Sequence, residues 1–130
     1  MDLDHFKRVN DLHGHQTGDR VLEHAAQIFE SQTRTGELVA RVGGEEFALL
    51  LPHAHRATAR TVAERCQGAM ATLALPHAAS PTADHVTLSI GVAVLDAGRR
   101  EDGATLVRRA DAALYAAKAA GRARCVIAEP

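Results

Sequence analysis

Two acidic blocks, far apart in the chain, carry residue types that could do chemistry. The first is Asp2-Leu3-Asp4-His5-Phe6-Lys7, an Asp-x-Asp followed three residues later by a lysine. It offers oxygen ligands for a hard cation and an ammonium for a phosphate within one short stretch. The second is Gly43-Gly44-Glu45-Glu46-Phe47. Apolar runs Leu38–Val42 and Phe47–Leu51 flank it, so it reads as a β-hairpin tip whose glycines supply positive φ. The bare glycines also let a bulky ligand approach the backbone, and the carboxylates beside them could hold a divalent metal. Read alone, acids at a hairpin tip are usually solvated turn residues, and Asp2 would be a frayed terminal acid. Near the other end, Lys118 and Arg122 flank Gly121. Cations where a helix stops interact favourably with its dipole, which explains them without a ligand.

Together these blocks resemble the GGDEF-domain diguanylate cyclases, which join two GTP molecules into cyclic di-GMP. The GG[DE]EF signature stands here as Gly43-Gly44-Glu45-Glu46-Phe47, the GGEEF variant. The pattern D-x-D-x-F-K-x-x-N-D-x-x-G-H-x-x-G-D runs from Asp2 to Asp19, and Leu114 to Arg122 is similar to the family's closing motif. The resemblance covers nearly the whole chain, in the family's order. It implies a magnesium or manganese ion held by Asp2, the backbone carbonyl of Leu3, and Glu45. It implies phosphate contacts from Lys7, Lys118 and Arg122, with Gly43, Gly44 and His15 near the substrate. Glu46 would move a proton or position other groups; on a strand it would point opposite to Glu45. Asp4 is expected to point away from Asp2, with no assigned role.

The reaction is attack of a ribose 3′-hydroxyl on an α-phosphate with loss of pyrophosphate, and positioned cations stabilise the charge that builds on the phosphoryl oxygens. Guanine selection would fall to Asn10 and Asp19. Guanine presents two adjacent donors, which one carboxylate can accept together, whereas adenine offers an acceptor at N1. Helix capping is the structural alternative for Asp19. His13-Gly14-His15 could be read as a metal pair, but with no further ligand nearby it is a weak zinc signal.

Two departures from the family pattern stand out. A product-binding R-x-x-D site precedes the signature glycines in many members; here it reads Arg34-Thr35-Gly36-Glu37. The extra methylene moves the carboxylate by roughly 1.5 Å, so weak product inhibition is expected. Only Met1 precedes Asp2, so the family's first strand is expected to be truncated.

The remaining sequence must position these residues. A chain of 130 residues suits one domain, residues 1–130, able to bury a core. Aromatics make up 3%, so the core falls to Ala, Val, Leu and Ile. A net charge of −1 gives no basic field for nucleic acid or membrane capture. No apolar run is long enough for a membrane helix and no signal peptide precedes Asp2. Cys66 and Cys125 suggest no disulfide framework. These features fit the cytosol.

Periodicity predicts a short helix over Asp4–Asp11 and a helix from an Asp19 cap to about Thr33. The hairpin follows. A helix over Ala54–Leu73 is striped by Val62, Cys66, Met70 and Leu73, and Pro76–Asp84 reads as a loop. A strand alternates through Val86–Val94. A helix beginning at Asp102-Gly103 is striped by Val107, Ala110, Leu114 and Ala117, and a last strand covers Arg124–Ala128. That order predicts an α+β fold with a mostly antiparallel central sheet flanked by helices; the resemblance implies a ferredoxin-related, palm-like arrangement. The functional expectation is a diguanylate cyclase acting through a transient homodimer, with GTP as substrate and cyclic di-GMP as product. The rival reading is a GTP or cyclic di-GMP receptor without turnover. A purely structural dimerisation module has no positive signal.

Overall fold

A computed structural model describes residues 1–130. In chain order the elements are β1 (Asp2–Leu3), α1 (Phe6–His13), α2 (His15–Ser31), β2 (Leu38–Arg41), β3 (Phe47–Leu50), α3 (Arg56–Leu73), β4 (Leu88–Val92), α4 (Gly103–Ala119) and β5 (Cys125–Ile127). The sheet runs β1-β4-β5, with β1 antiparallel and β5 parallel to β4. The antiparallel β2–β3 hairpin continues it through the bridge between Asp2 and Glu46 and the Phe47 N–H bond to the Met1 carbonyl, 2.9 Å. The α+β expectation holds, with one parallel pairing in the sheet.

Strand alternation sorts β1 and β4 onto two faces. Leu3, Val86, Leu88 and Ile90 turn into the main core with Phe6 and Val9 of α1, Val21, Leu22, Ala25 and Phe29 of α2, and Val62, Cys66 and Met70 of α3. All three phenylalanines are buried, and Phe29 meets Phe47 edge-on at 5.0 Å. The opposite face presents Asp2, Asp4, Thr87, Ser89 and Gly91, and α4 lies against it. A Cβ on Gly91 would strike the Ala110 carbonyl and the Leu114 backbone, so α4 rests directly on the β4 main chain.

Several boundaries differ from expectation. Helix α2 starts at His15, after Gly14, whose φ is +85°, so Asp19 lies inside the helix and is no cap. Helix α1 begins at Phe6 rather than Asp4, and the middle strand is shorter than Val86–Val94. Leu73 (41% exposed) and Val107 (59%) fall outside the core, while Ala113 and Ala117 of α4 are buried. The Asp102 cap is as expected: its carboxylate accepts the Thr105 N–H at 2.8 Å. Gly121, at φ +118°, ends α4 with the Arg122 N–H on the Ala117 carbonyl and the Gly121 N–H on that of Lys118, a Schellman motif.

Candidate functional site

Strand β1 carries one side chain to each of two environments. Leu3 is fully buried in the core, while Asp2 turns to the α4 side and is 4% exposed, so it is an ordered residue and no frayed terminal acid. Lys118, in the last turn of α4, donates to Asp2 Oδ2 at 2.8 Å. The Leu3 N–H points away from β4 and donates to the Glu45 carbonyl at 3.3 Å. The Leu3 carbonyl lies on that same edge, because a strand residue's N–H and C=O share a side.

Glu45 sits in the loop between β2 and β3, half-buried. Burial, and then the negative charge of Asp2, push its carboxyl above the usual glutamate range, against the pull of Lys118. Two carboxylates from distant regions of the sequence therefore stand near enough to feel one another's charge, with the Lys118 ammonium bonded to Asp2. Such a donor set fits a divalent cation: magnesium takes one or two carboxylates and completes its shell with phosphate oxygens or water. No group of three His, Cys, Asp or Glu side chains gathers anywhere in the chain, which leaves His13 and His15 exposed and without metal partners.

The glycine pair corrects the hairpin reading. Neither Gly43 nor Gly44 has positive φ, and the loop spans five residues, closed by the Val42 N–H on the Glu46 carbonyl at 2.9 Å. A Cβ on Gly44 would meet nothing within 4 Å. The glycines leave the loop bare and open rather than bending it. Arg41, which sequence reasoning passed over, pins the loop by donating to the carbonyls of Gly43 (3.2 Å) and Gly44 (2.8 Å). Its position two residues before the glycines was the available signal. Glu46 is exposed and folds back beside Gly43. Since Glu45 lies in the loop, strand alternation does not set the relative directions of the two acids.

At the α1–α2 corner, Asn10 packs against Gly18, where a Cβ would collide with its Oδ1. That oxygen is buried and has no hydrogen-bond partner, and Asp19, the next residue after Gly18, is exposed. Lys7 is exposed one turn before Asn10 on α1, the spacing that shares a helix face. His15, the first residue of α2, is exposed. Arg122 follows the α4 terminus and, after burial, its charge is the next largest influence holding the His5 imidazole below its usual range. The neighbouring Ala123 N–H, bonded to Asp4 Oδ2 at 3.0 Å, brings this bend next to the residues that lead into α1.

Asp4 is the main correction. It points to the same side as Asp2, as residues two apart on an extended strand do. It is 1% exposed and accepts from Thr87 Oγ1 (2.8 Å), Ser89 Oγ (2.6 Å) and the Ala123 N–H (3.0 Å).

Arg34 and Glu37 lie away from these residues. The Glu37 carboxylate accepts the Arg34 backbone N–H at 2.7 Å, so it is engaged in its own turn. The Arg34 side chain lines an open groove of about 270 Å³ with Thr58, Thr61 and Arg65 of α3. Arg65 is a second cation there that the sequence pattern did not single out, because it lies 31 residues further along the chain.

A sheet whose polar face and hairpin loop gather acids, one lysine and a bare glycine turn defines an α+β domain with a polar site at the sheet's edge. The chain belongs to the GGDEF family: the family model described as "Diguanylate cyclase, GGDEF domain" matches residues 1–124. It is 39% identical over 128 residues to diguanylate cyclase DgcP of Pseudomonas aeruginosa, covering 98% of this chain and 18% of that protein. The curated relatives it resembles are longer; a 43% identical match, Escherichia coli DgcM, is covered over 30% of its length. Among solved structures, the GGDEF domain of Caulobacter crescentus DgcB in complex with c-di-GMP superposes with a TM-score of 0.87 at 38% identity, over 99% of this chain and 75% of that one.

Proposed function

We propose that this chain is the catalytic domain of a diguanylate cyclase, converting two GTP into one cyclic di-GMP and two pyrophosphates. The observation that carries the reading is the convergence of Asp2, Glu45 and Lys118, distant in sequence, at one end of the sheet. In this reading Asp2, the Leu3 carbonyl and Glu45 hold magnesium or manganese, which when bound polarises the phosphoryl oxygens. Lys118 and Arg122 bind the triphosphate tail and Lys7 a phosphate oxygen, while Gly43 and Gly44 leave the backbone open beneath them. The Asp19 carboxylate accepts from both guanine N1–H and its exocyclic amine, with Asn10 beside it on the neighbouring helix and His15 at the pocket's rim. Glu46, exposed beside the loop, receives the 3′-hydroxyl proton or orients that hydroxyl. Each 3′-oxygen attacks the α-phosphorus held by a second copy, a phosphorus–oxygen bond forms, and pyrophosphate leaves. The domain works as a transient homodimer in the cytoplasm.

Turnover of GTP to cyclic di-GMP with magnesium tests this reading. Glu45→Ala should lower the rate by at least about a hundredfold, the scale for removing a major electrostatic stabiliser. Wild-type turnover in that variant would remove Glu45 from the mechanism.

A second reading, product binding without turnover, draws on the Arg34–Arg65 groove, because paired guanidinium groups suit phosphates. Product binding in this groove is itself compatible with turnover at the other site, and only the absence of turnover separates the two readings; Glu37 is restricted to its turn. Equilibrium dialysis with cyclic di-GMP should show binding that Arg65→Ala weakens and Glu37→Gln leaves nearly unchanged. Binding that ignores Arg65 would dismiss the groove.

A further inference from the structure

The bend after α4 holds three consecutive residues in the left-handed region: Gly121 at φ +118°, Arg122 at +64° and Ala123 at +48°. Only the first is a glycine, the residue for which that region is free of steric cost. A non-glycine residue persists there only when its surroundings fix it. The bend is tied at both ends. On the helix side, the Arg122 N–H bonds to the Ala117 carbonyl at 3.0 Å. On the sheet side, the Ala123 N–H bonds to Asp4 Oδ2 at 3.0 Å. Between the two ties stands the Cα of Arg122.

The Asp4 carboxylate cannot follow the loop. Thr87 Oγ1 donates to its Oδ2 and Ser89 Oγ to its Oδ1, and both hydroxyls come from the strand or its immediate entry in the middle of the sheet. Its own N–H is bonded to the Thr87 carbonyl at 2.9 Å. Asp4 is closed to solvent and already accepts three hydrogen bonds, so it is no metal ligand and touches no substrate. Its effect on a bound anion must pass through the residue it aims.

We propose that Asp4 is a positioning residue of the phosphate site: anchored by Thr87 and Ser89, its carboxylate holds the left-handed Arg122–Ala123 bend and thereby sets where the Arg122 guanidinium stands. This rests on the reading above that Arg122 contacts the triphosphate tail. Asp4 thus couples the first strand, which carries Asp2, to the last cation of the site. The phosphate ligands at opposite ends of the chain share one buried anchor.

The test compares binding of 3′-deoxy-GTP and 3′-deoxy-GMP, which lack the attacking hydroxyl, to the full chain by calorimetry with magnesium present. Wild type should bind the triphosphate more tightly than the monophosphate. Asp4→Ala should weaken triphosphate binding by about tenfold or more while monophosphate binding stays within about twofold, since guanine recognition lies on α1 and α2 and one charge-assisted contact is lost. Because Asp4→Ala orphans three buried donors and can fail to fold, Ala123→Pro is the second variant. Ala123 is exposed, and proline there removes the N–H, forbids positive φ and drives Arg122 towards extended backbone. It should give the same selective loss. A lowered melting temperature with the wild-type triphosphate-to-monophosphate ratio, or equal loss of both ligands, overturns the proposal. If wild type itself does not distinguish the two nucleotides, the assignment of Arg122 to the triphosphate fails and this proposal falls with it.

Discussion

Asp2 on β1 and Asp4 just past its end share a face yet meet different fates. Asp2 finds one ammonium at 2.8 Å and a second carboxylate nearby; Asp4 finds two hydroxyls and an N–H. The first environment leaves uncompensated negative charge where a cation would sit, and the second spends the carboxylate on structure. Holding Arg122 and Ala123 in the left-handed region costs about 1–2 kcal/mol each, and a hydrogen bond from Ala123 to a charged acceptor offsets about 1.5–3 kcal/mol of that. Asp19, which the proposed reading assigns to guanine, is an exposed residue inside α2, which removes the capping explanation for it. Asp19→Asn should therefore leave the melting temperature nearly unchanged and narrow the preference for GTP over ATP. An amide offers one acceptor where the base presents two donors. Competition binding with the two nucleotides reads this directly, and an unchanged ratio would take Asp19 out of base recognition.

The element that decides the site's geometry is α4 on β4. Lys118 reaches Asp2 only because the helix lies close to the sheet, and it lies close because β4 has a glycine under it. Gly91→Ala would drive a methyl into the Ala110 carbonyl and Leu114 backbone, which cannot rotate aside as a side chain can. Stability should fall by about 1–3 kcal/mol or more, the usual cost of overpacking, and GTP turnover should fall with it as Lys118 withdraws. Urea unfolding and initial rates measured on the same preparation check both. Full stability with wild-type rates would mean that the helix can lift without consequence. This contact also explains the error at Val107. Helix α4 is so rich in alanine that several of its faces read as apolar, and the pattern alone does not fix its rotation. The bare backbone of Gly91 and the small Ser89 fix it instead, burying Ala113 and Ala117 and leaving Val107 out.

At the scale of the molecule, the proposed reading gives one copy one set of nucleotide ligands, and a cyclic product would require two facing sets. Proximity supplies much of such a barrier, and a misplacement of about 1 Å is costly. Turnover per mole of chain should therefore rise with protein concentration. Joining two copies through a dimeric coiled coil should raise it further by increasing the effective concentration of the facing site. Specific activity that stays flat over a wide dilution series would point to a tight dimer or to chemistry within one copy. No helix is long and apolar enough to cross a membrane. The chain spans about a fifth to a third of the curated relatives described above, so partners and input signals belong to a larger frame than these residues.

The sequence by itself determined the family, the order of elements and the chemical types at the site. Those follow from local patterns: an Asp-x-Asp, a Gly-Gly-Glu-Glu, a Gly121 stop, a two-residue alternation through Leu88 and Ile90. Only the tertiary structure decided what each acid does. Whether a carboxylate binds a cation or anchors a loop depends on which donors surround it, and the donors of Asp4 come from Thr87, Ser89 and Ala123, more than eighty residues away. The same holds for Gly43 and Gly44, whose value lies in an open loop rather than in unusual φ, and for Arg65 of α3, which joins Arg34 of the α2–β2 connection only in the folded chain. Local pattern fixes residue type and element; the packing of β4 between two layers of helices fixes charge environment, because electrostatics and hydrogen bonding depend on distance in space and not along the chain.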